Sequence, residues 1–391
     1  MKNKASQDSG TLRRIMWCLI VVAIGYGSLY PFHYTADFVP ADPMWALLMQ
    51  RPVWTNFPDV IGNILLFVPL GLICAGPHKA RVILACVFAV LYAYAIQVVQ
   101  FWFPDRSPSL ADALWNILGL ALGVLGAGLV ARVIHGVALG EVRSKPWLQG
   151  ALLVLALWLG SETAPFVPTL DVGHIKDALR PLRVFDPELV RILAIAAGLA
   201  VCAECLRLSF GEKGQRWRFF ALIALWLLGK LFVSTHAVRW SSLVAIPAGF
   251  VLMLCTQRLK DDARCLWLAG LVWLGYSASA LFPLELRLTP VAMNWVPFAA
   301  RLSGNMLTNL DSLFLALFNF SAILWLLVRQ GARLPGMTVL LACWVGAMEA
   351  AQTWLEGRTP DATEVLLVFV AALLIARLGA PVTATVQSAS R

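Results

Sequence analysis

The amino-acid sequence predicts an all-α protein, a polytopic transmembrane bundle of about 12 helices in three four-helix repeats. Composition is the first observation behind this fold class. Of the 391 residues, 60% are hydrophobic and only 14% are charged, whereas soluble domains are roughly half apolar and about a quarter charged. The second observation is a series of twelve apolar runs, each near the roughly 20 residues that a spanning helix needs.

The apolar runs follow one another along the whole chain, separated by polar loops. They lie near residues 15–34, 59–76, 81–103, 109–131, 147–167, 188–209, 217–236, 241–258, 265–284, 306–328, 335–355 and 361–379. The first run follows Lys2, Lys4, Arg13 and Arg14, as in a signal peptide, but no small-residue cleavage site follows it. We therefore interpret it as a retained first helix.

Charge in the loops predicts the orientation of these helices. The chain carries a net charge of +9, and its Lys and Arg residues fall mainly in one set of alternate loops. The other set, which includes the long loops near 35–58, 161–187 and 285–305, is richer in acids. By the positive-inside rule the basic loops and both termini are cytoplasmic.

An internal repeat is the third observation behind the predicted fold. Pro31 precedes Arg106 by 75 residues, and Pro283 precedes Arg358 by the same separation. A fainter copy runs from Pro165 to Arg239. These copies predict three four-helix repeats, at residues 1–140, 141–262 and 263–391, with the middle one degenerate.

Polar side chains in the first repeat gather at the predicted outer ends of its helices. Such residues are costly in a membrane and often mark a function. They are Asp59, Asn63, Gln97, Gln100, Trp102, Arg106, Ser109, Asp112 and Asn116. The four-residue spacing places Asp59 beside Asn63 on one helix face, and we expect Arg106 to form an ion pair with Asp59 or Asp112. A binding or catalytic site and a structural clasp both fit this pattern.

The third repeat keeps a related set of polar side chains, and the second keeps little. The third-repeat set comprises Glu349, Gln352, Trp354, Arg358, Asp361 and Glu364. Asn305 and Asn309 take the places of Asp59 and Asn63 there. The middle repeat retains only Arg239 and Trp240, so we interpret its polar residues as structural.

Several function classes find no support in the sequence. Nearly all of the eight cysteines lie within apolar runs, and Cys202-x-x-Cys205 is interpreted as packing. No histidine ligand pair is present, so we predict no metal and no cofactor. No basic patch interleaved with aromatics indicates nucleic acid. Motifs of ATPases, serine hydrolases, zinc proteases and dinucleotide-binding enzymes are absent.

The polar pattern resembles a known family. Asp59-x-x-x-Asn63-x-x-x-Phe67-x-Pro69-x-Gly71, followed by Gln100, Arg106, Asp112, Asn116 and Gly119, is similar to the VanZ-like family of bacterial membrane proteins. The resemblance covers about residues 15–131 and returns over 265–379. A typical member is one four-helix unit, so the chain would be a tandem form.

The resemblance implies a multi-pass protein of the bacterial cytoplasmic (inner) membrane with a role in the cell envelope. The family's namesake is associated with resistance to the glycopeptide antibiotic teicoplanin. Departures from the family pattern include Gln97 in place of Glu, and in the third repeat Val368 and Leu317 in place of Asn116 and Gly71. We therefore hypothesise that repeats one and three pool their polar groups in a shared cleft.

Three functions fit the sequence, and whether the protein is an enzyme stays open. The first is binding or processing of a lipid-linked envelope precursor, a polyprenyl-phosphate-linked glycan, at the outer leaflet. Arg106 and Arg358 would bind phosphate, and Trp102 and Trp354 would stack on sugar. The candidate acid–base residues are Asp112, Glu349, Asp361 and Glu364.

The second function is a transporter or flippase, and the third is a non-catalytic scaffold of an envelope or exopolysaccharide assembly. Repeated helices suit a transporter, but Glu204 and Lys230 stand in the sequence as isolated charges. Membrane lipids are the predicted partners in every case.

Overall fold

The structure is a computed structural model of the chain. It describes residues 2–37, 39–51, 57–75, 79–136, 146–164, 172–233, 237–299 and 309–378. Within these ranges the chain is all-α, and two isolated bridges between described residues join Leu286 with Leu355 and Asn294 with Asp361. The predicted fold class is confirmed. The chain divides into two compact units, Met1–Leu139 (unit 1) and Gly140–Arg391 (unit 2).

The described residues of unit 1 form four long helices and one short one. Its elements are α1 (Lys2–Leu29), α2 (Pro43–Leu48), α3 (Phe57–Cys74), α4 (Lys79–Val99), a 3-10 helix (Gln100–Trp102) and α5 (Leu110–Gly136). Helix α3 packs against α1, α4 and α5. A small core that includes Ile24, Phe67 and Ile96 fills the space between α1, α3 and α4.

Glycines set the close packing of α3 against α5. A Cβ atom built on Gly119 would lie 2.1 Å from the carbonyl oxygen of Ile64, and one on Gly123 would lie 2.3 Å from that of Val68. No side chain fits at such distances, so the two backbones touch directly, as small residues permit between membrane helices. Both contact positions advance together along the two chains, so α3 and α5 run parallel and begin at the same end.

The part of unit 2 that the structure describes forms eight long helices and one short one. They are α6 (Pro146–Thr163), α7 (Val172–Leu179), a 3-10 helix (Arg180–Arg183), α8 (Leu189–Phe210), α9 (Gln215–Phe232), α10 (Trp240–Gln257), α11 (Asp261–Leu281), α12 (Leu310–Arg329), α13 (Leu334–Gln352) and α14 (Thr363–Leu378). One continuous core with Trp158, Trp226 and Trp325 at its centre joins these helices.

The two halves of unit 2 pack reciprocally. Helix α6, the first of the second predicted repeat, packs against α12, the second of the third repeat. Conversely, α11, the first helix of the third repeat, packs against α8, the second helix of the second repeat. In each contact, the first helix of one predicted repeat packs against the second helix of the other. Two copies related by a two-fold axis make contacts of this kind.

A buried charge network joins α8, α11 and α12 in unit 2. Glu204, only 3% exposed, accepts hydrogen bonds from Arg207 at 2.8 Å and from Arg329 at 3.3 Å. Arg264 lies 3.6 Å from the same carboxylate. The interpretation of Glu204 as an isolated charge is therefore wrong: arginines from three helices share it, which lowers the cost of burying each of them.

The helices identify a membrane protein. Six described helices are long and apolar enough to span a bilayer: Val82–Trp102, Leu110–Ala127, Leu189–Phe210, Trp240–Gln257, Leu310–Arg329 and Leu334–Gln352. Three shorter apolar helices accompany them, at Trp17–Leu29, Asp59–Cys74 and Leu148–Thr163. The number of twelve transmembrane helices, the three-repeat division and the cytoplasmic termini stay predictions.

Candidate binding site

A polar cavity of about 780 Å³ opens in unit 2 at the ends of its helices. The second and third predicted repeats both line it, with residues from α6, α8, α9 and α10 facing residues from α11 to α14. Its acidic lining residues are Glu162, Glu188, Asp311, Glu349, Asp361 and Glu364, and its basic ones are Arg191, Lys230, Arg239 and Arg358. A cavity that contains this many charges in a membrane protein indicates a functional site.

A buried ion pair forms the wall from the second repeat. Lys230 Nζ lies 2.7 Å from the Glu162 carboxylate, and both side chains are largely buried. The indole of Trp226 donates a hydrogen bond of 2.5 Å to the same carboxylate, and its ring lies 5.2 Å from the ammonium. Lys230 is therefore not isolated, and the interpretation of it as a lone charge is wrong.

A carboxylate on α13 organises the wall from the third repeat. Glu349 accepts a hydrogen bond of 3.0 Å from the backbone N–H of Asp361, just ahead of α14. The Asp361 side chain in turn accepts one of 2.7 Å from the N–H of Thr363, the first residue of α14. These bonds satisfy N–H groups at the start of the helix, which have no partner within the helix itself. Glu349 and Asp361 thus fix the end of α14 beside the cavity.

Arg358, in the turn between α13 and α14, fastens that turn to α11. Its guanidinium donates to the carbonyl oxygens of Ser279 and Phe282, with the Nε bond to Phe282 at 2.9 Å. These carbonyls lie at the C-terminal end of α11, where cationic donors are favourable. Burial lowers the pKa of Arg358, while the nearby Glu349 carboxylate opposes that shift. The guanidinium is engaged in holding the turn.

The first predicted repeat uses the same hydrogen bonds in unit 1. Arg106 Nη2 donates a hydrogen bond of 3.0 Å to the carbonyl oxygen of Gly27, near the end of α1. Gln97 accepts one of 3.0 Å from the N–H of Ser109, just ahead of α5. Each of these residues lies 252 positions before its counterpart in the Arg358 turn. The two turns therefore share one local construction.

The partners of Arg106 are not the carboxylates expected from the sequence. The structure shows no ion pair between Arg106 and either Asp59 or Asp112. Burial lowers the pKa of Arg106, and the nearby Asp105 carboxylate opposes that shift. Its Nε atom is buried without a hydrogen-bond partner among the described residues.

The remaining predicted residues of unit 1 lie on two helix ends and the 3-10 helix. Asn63 donates a hydrogen bond of 3.0 Å to the carbonyl oxygen of Asp59, one turn earlier on α3. Gln100 donates one of 2.9 Å to the carbonyl oxygen of Ser28. The carbonyl oxygen of Trp102 accepts a hydrogen bond from the backbone N–H of Thr35, and the residue is partly exposed. Asp112 and Asn116 lie on the first two turns of α5.

The structure brings together most of the predicted residues of the third repeat. Glu349, Gln352, Arg358, Asp361 and Glu364 all line the cavity, as does Asn309. Trp354 is half exposed and does not line it, and Asn305 lies outside the described residues. The hypothesis of a cleft shared by repeats one and three stays a prediction.

Sequence reasoning missed the contribution of the second repeat. Glu162, Lys230 and Arg239 line the cavity, although the middle repeat was interpreted as structural. A signal was present, because Lys230 and Arg239 occupy the positions that Glu349 and Arg358 hold in the third repeat. The missing information was the reciprocal packing of the two repeats, which turns equivalent positions toward one cavity.

Comparison with known proteins gives one match. The model of the VanZ/LLP1 family matches residues 5–131, which is nearly the whole of unit 1. No curated protein and no solved structure matches the chain. Among the described residues, no group of three or more His, Cys, Asp or Glu side chains is placed to hold a metal ion.

Proposed function

We propose that this membrane protein, whose residues 5–131 form a VanZ-like unit, binds the polar head of a lipid-linked envelope precursor in the cavity of unit 2. The observation that supports this proposal is the cavity itself, which places charged and amide side chains of two repeats around about 780 Å³. That volume is within the range of small-molecule sites, about 300–1,000 Å³. The ligand class is a glycan attached to a polyprenyl phosphate.

The balance of charge in the lining favours the glycan part of such a ligand. Glu162 and Lys230 neutralise each other, and Arg191 lies 3.9 Å from Glu188. The remaining lining is net acidic, which disfavours a ligand with many negative charges. Carboxylates accept hydrogen bonds from sugar hydroxyls, and amides both accept and donate them, so a hydroxyl-rich, weakly charged head fits the cavity.

Arg239 is the best placed cation for a phosphate. It is exposed at the start of α10 and lines the cavity, and it forms no ion pair with any residue that the structure describes. A free guanidinium binds phosphate through two parallel N–H bonds. Arg106 and Arg358 already donate to carbonyl oxygens, so we assign them a positioning role instead of the phosphate contact expected from the sequence.

Binding to the purified full-length chain in lipid nanodiscs tests the proposal. We expect a polyprenyl-phosphate glycan to bind saturably, and Arg239→Ala to weaken binding about 10-fold or more, since a lost charged hydrogen bond costs about 1.5–3 kcal/mol. Arg258→Ala, which removes an exposed arginine outside the cavity, is the matched control. Absence of binding, or equal loss in both variants, would refute the proposal.

A transporter or flippase is the second candidate, favoured by the buried Lys230–Glu162 pair in the cavity wall. Ionisable pairs inside membrane proteins often lie on substrate or ion pathways. Counterflow of the same precursor in proteoliposomes separates the two functions. Precursor binding without counterflow supports a binding protein, whereas counterflow that Lys230→Met abolishes supports transport.

A further inference from the structure

Unit 1 carries two matching polar stripes on neighbouring helices, apart from the cavity of unit 2. Asp59 and Asn63 lie one turn apart at the start of α3, and Asp112 and Asn116 lie one turn apart at the start of α5. Each pair shares a helix face. The sequence therefore repeats an Asp-x-x-x-Asn pattern on both helices.

The glycine contacts bring these stripes to the same place. Because α3 and α5 run parallel and touch at Gly119 and Ile64, their first two turns lie side by side. Ile64 directly follows Asn63, and Gly119 lies three residues after Asn116. The Asp59 carboxylate is close enough to Asp112 to interact with it electrostatically. Four oxygen-bearing side chains thus gather at one end of the helix pair.

Two oxygen atoms of this group are buried without a hydrogen-bond donor. The Oδ1 atoms of Asp112 and Asn116 have no partner among the described residues, and Asn116 is only 2% exposed. A buried acceptor without a donor is costly, and a buried polar group in a native structure normally has a partner. Asn116 and Asp112 lie three and seven residues before Gly119, the residue of α5 that touches α3, so both acceptors lie on the α3 side of α5 and lack a bonding group there.

We propose that Asp59, Asn63, Asp112 and Asn116 bind one divalent cation, Mg²⁺ or Ca²⁺. All four side chains offer oxygen atoms, the ligands that these hard cations prefer. Two carboxylates supply the two negative charges that balance the ion. The starts of the two helices attract anions, but each helix end carries only about half a unit charge, less than the full charge of the aspartate beside it.

The site differs from the motifs by which metal centres are usually found in a sequence. It contains two carboxylates and two carboxamides, whereas histidine and cysteine are absent. Asparagine oxygens are ordinary ligands of Ca²⁺, and water completes the remaining positions of such a site. The cation would join α3 to α5 at the start of both helices, before the turns where Gly119 and Gly123 bring the two backbones into contact.

Equilibrium binding of radioactive Ca²⁺ to the full-length chain in detergent tests this proposal. We expect one saturable ion per chain, displaced by excess Mg²⁺. Asp112→Asn and Asn116→Leu should each weaken binding about 10-fold or more, whereas Asn116→Asp should hold or strengthen it because it adds a charged ligand. The last variant distinguishes a ligand from a residue that only supports the fold.

Two controls locate the ion. Asp105→Asn removes an exposed carboxylate of the same unit, and Asp311→Asn removes one from the cavity of unit 2; both should bind Ca²⁺ as the wild type does. Absence of a bound ion, normal binding by Asp112→Asn, or loss in Asp311→Asn would overturn the proposal. Precursor binding and its dependence on Arg239 are measured separately, so either proposal can fail alone.

Discussion

The two compact units hold their helices together by different means. In unit 1, Gly119 and Gly123 let α5 touch the backbone of α3. In unit 2, the counterparts of these glycines 252 positions later are Ala371 and Ile375, both fully buried. Buried ion pairs around Glu204 and between Lys230 and Glu162 also join its helices. The Arg106 and Arg358 turns share one construction, and the cavity beside the Arg358 turn is lined by residues of the second and third predicted repeats.

Under the two proposals, one local motif supports two kinds of site. Close glycine contacts bring the polar stripes of two helices of one repeat together, which suits a small ion. Bulkier residues and a second repeat leave room for a larger polar ligand. The shared turn holds the helix ends in both cases and so does not decide the ligand by itself.

Removing the Glu204 carboxylate should have the largest effect on stability. Glu204→Leu leaves Arg207, Arg264 and Arg329 without their shared partner at a buried position. Breaking a buried charge pair in this way costs about 3–5 kcal/mol. Thermal unfolding of the purified protein in detergent, followed by tryptophan fluorescence, measures the loss.

The control for this change is Glu212→Gln, since Glu212 also contacts Arg207 but its side chain is mostly exposed. Exposed ion pairs contribute only about 0–1 kcal/mol. If both variants lose the same stability, the buried ion pairs around Glu204 do not hold the helices of unit 2 together.

Replacing Gly123 of unit 1 with isoleucine, the residue 252 positions later in the third predicted repeat, should have the next largest effect on stability. In Gly123→Ile the new Cβ would lie 2.3 Å from the carbonyl oxygen of Val68, so α3 and α5 must separate. Overpacking of this kind costs about 1–3 kcal/mol, occasionally more. The free energy of unfolding of unit 1 and its affinity for Ca²⁺ should both decrease. Unfolding curves and equilibrium binding measure the two quantities.

Gly270→Ala is the matched control, because nothing lies within 4 Å of the added methyl group. Alanine is favoured over glycine within a helix by about 1 kcal/mol, so this variant should be as stable as the wild type or slightly more so. A Gly123→Ile protein that unfolds like the wild type would show that direct backbone contact is unnecessary in unit 1.

Replacing the turn arginines should have the smallest effect on stability, and the effect should differ between the two turns. Arg358 donates to two carbonyl oxygens and Arg106 Nη2 to one. We expect Arg358→Gln to cost about 2 kcal/mol and Arg106→Gln about 1 kcal/mol, since each hydrogen bond from a charged donor contributes roughly 1.5–3 kcal/mol when fully buried. Chemical unfolding of the two variants measures the difference, and the reverse order would contradict it.

The sequence predicted the fold class and the residues of both turns, because these depend on local rules. Apolar runs of spanning length follow from the thickness of the bilayer, and the constant separation of Pro31 from Arg106 and of Pro283 from Arg358 is visible without coordinates. The partners of the arginines were not predictable in this way. Carbonyl oxygens at helix ends, which every helix has, leave no mark in the sequence.

The cavity depends on packing between repeats, and that packing was also invisible. Lys230 and Glu162 are 68 residues apart and meet only because α6 and α9 lie side by side. Equivalent positions in the second and third repeats hold different residues, so similarity between them was faint. Residues of the second predicted repeat line the cavity because its helices α6 and α8 pack against α12 and α11.

The reciprocal packing of unit 2 also bears on the consequence of having the second and third predicted repeats in one chain. Lys230 and Glu349 occupy equivalent positions and line the same cavity. Two identical subunits across a two-fold axis would have to present the same charge from both sides, because every residue appears twice. Because the two predicted repeats of unit 2 belong to one chain, they hold different residues at equivalent positions, and the cavity between them carries different charges on its two walls.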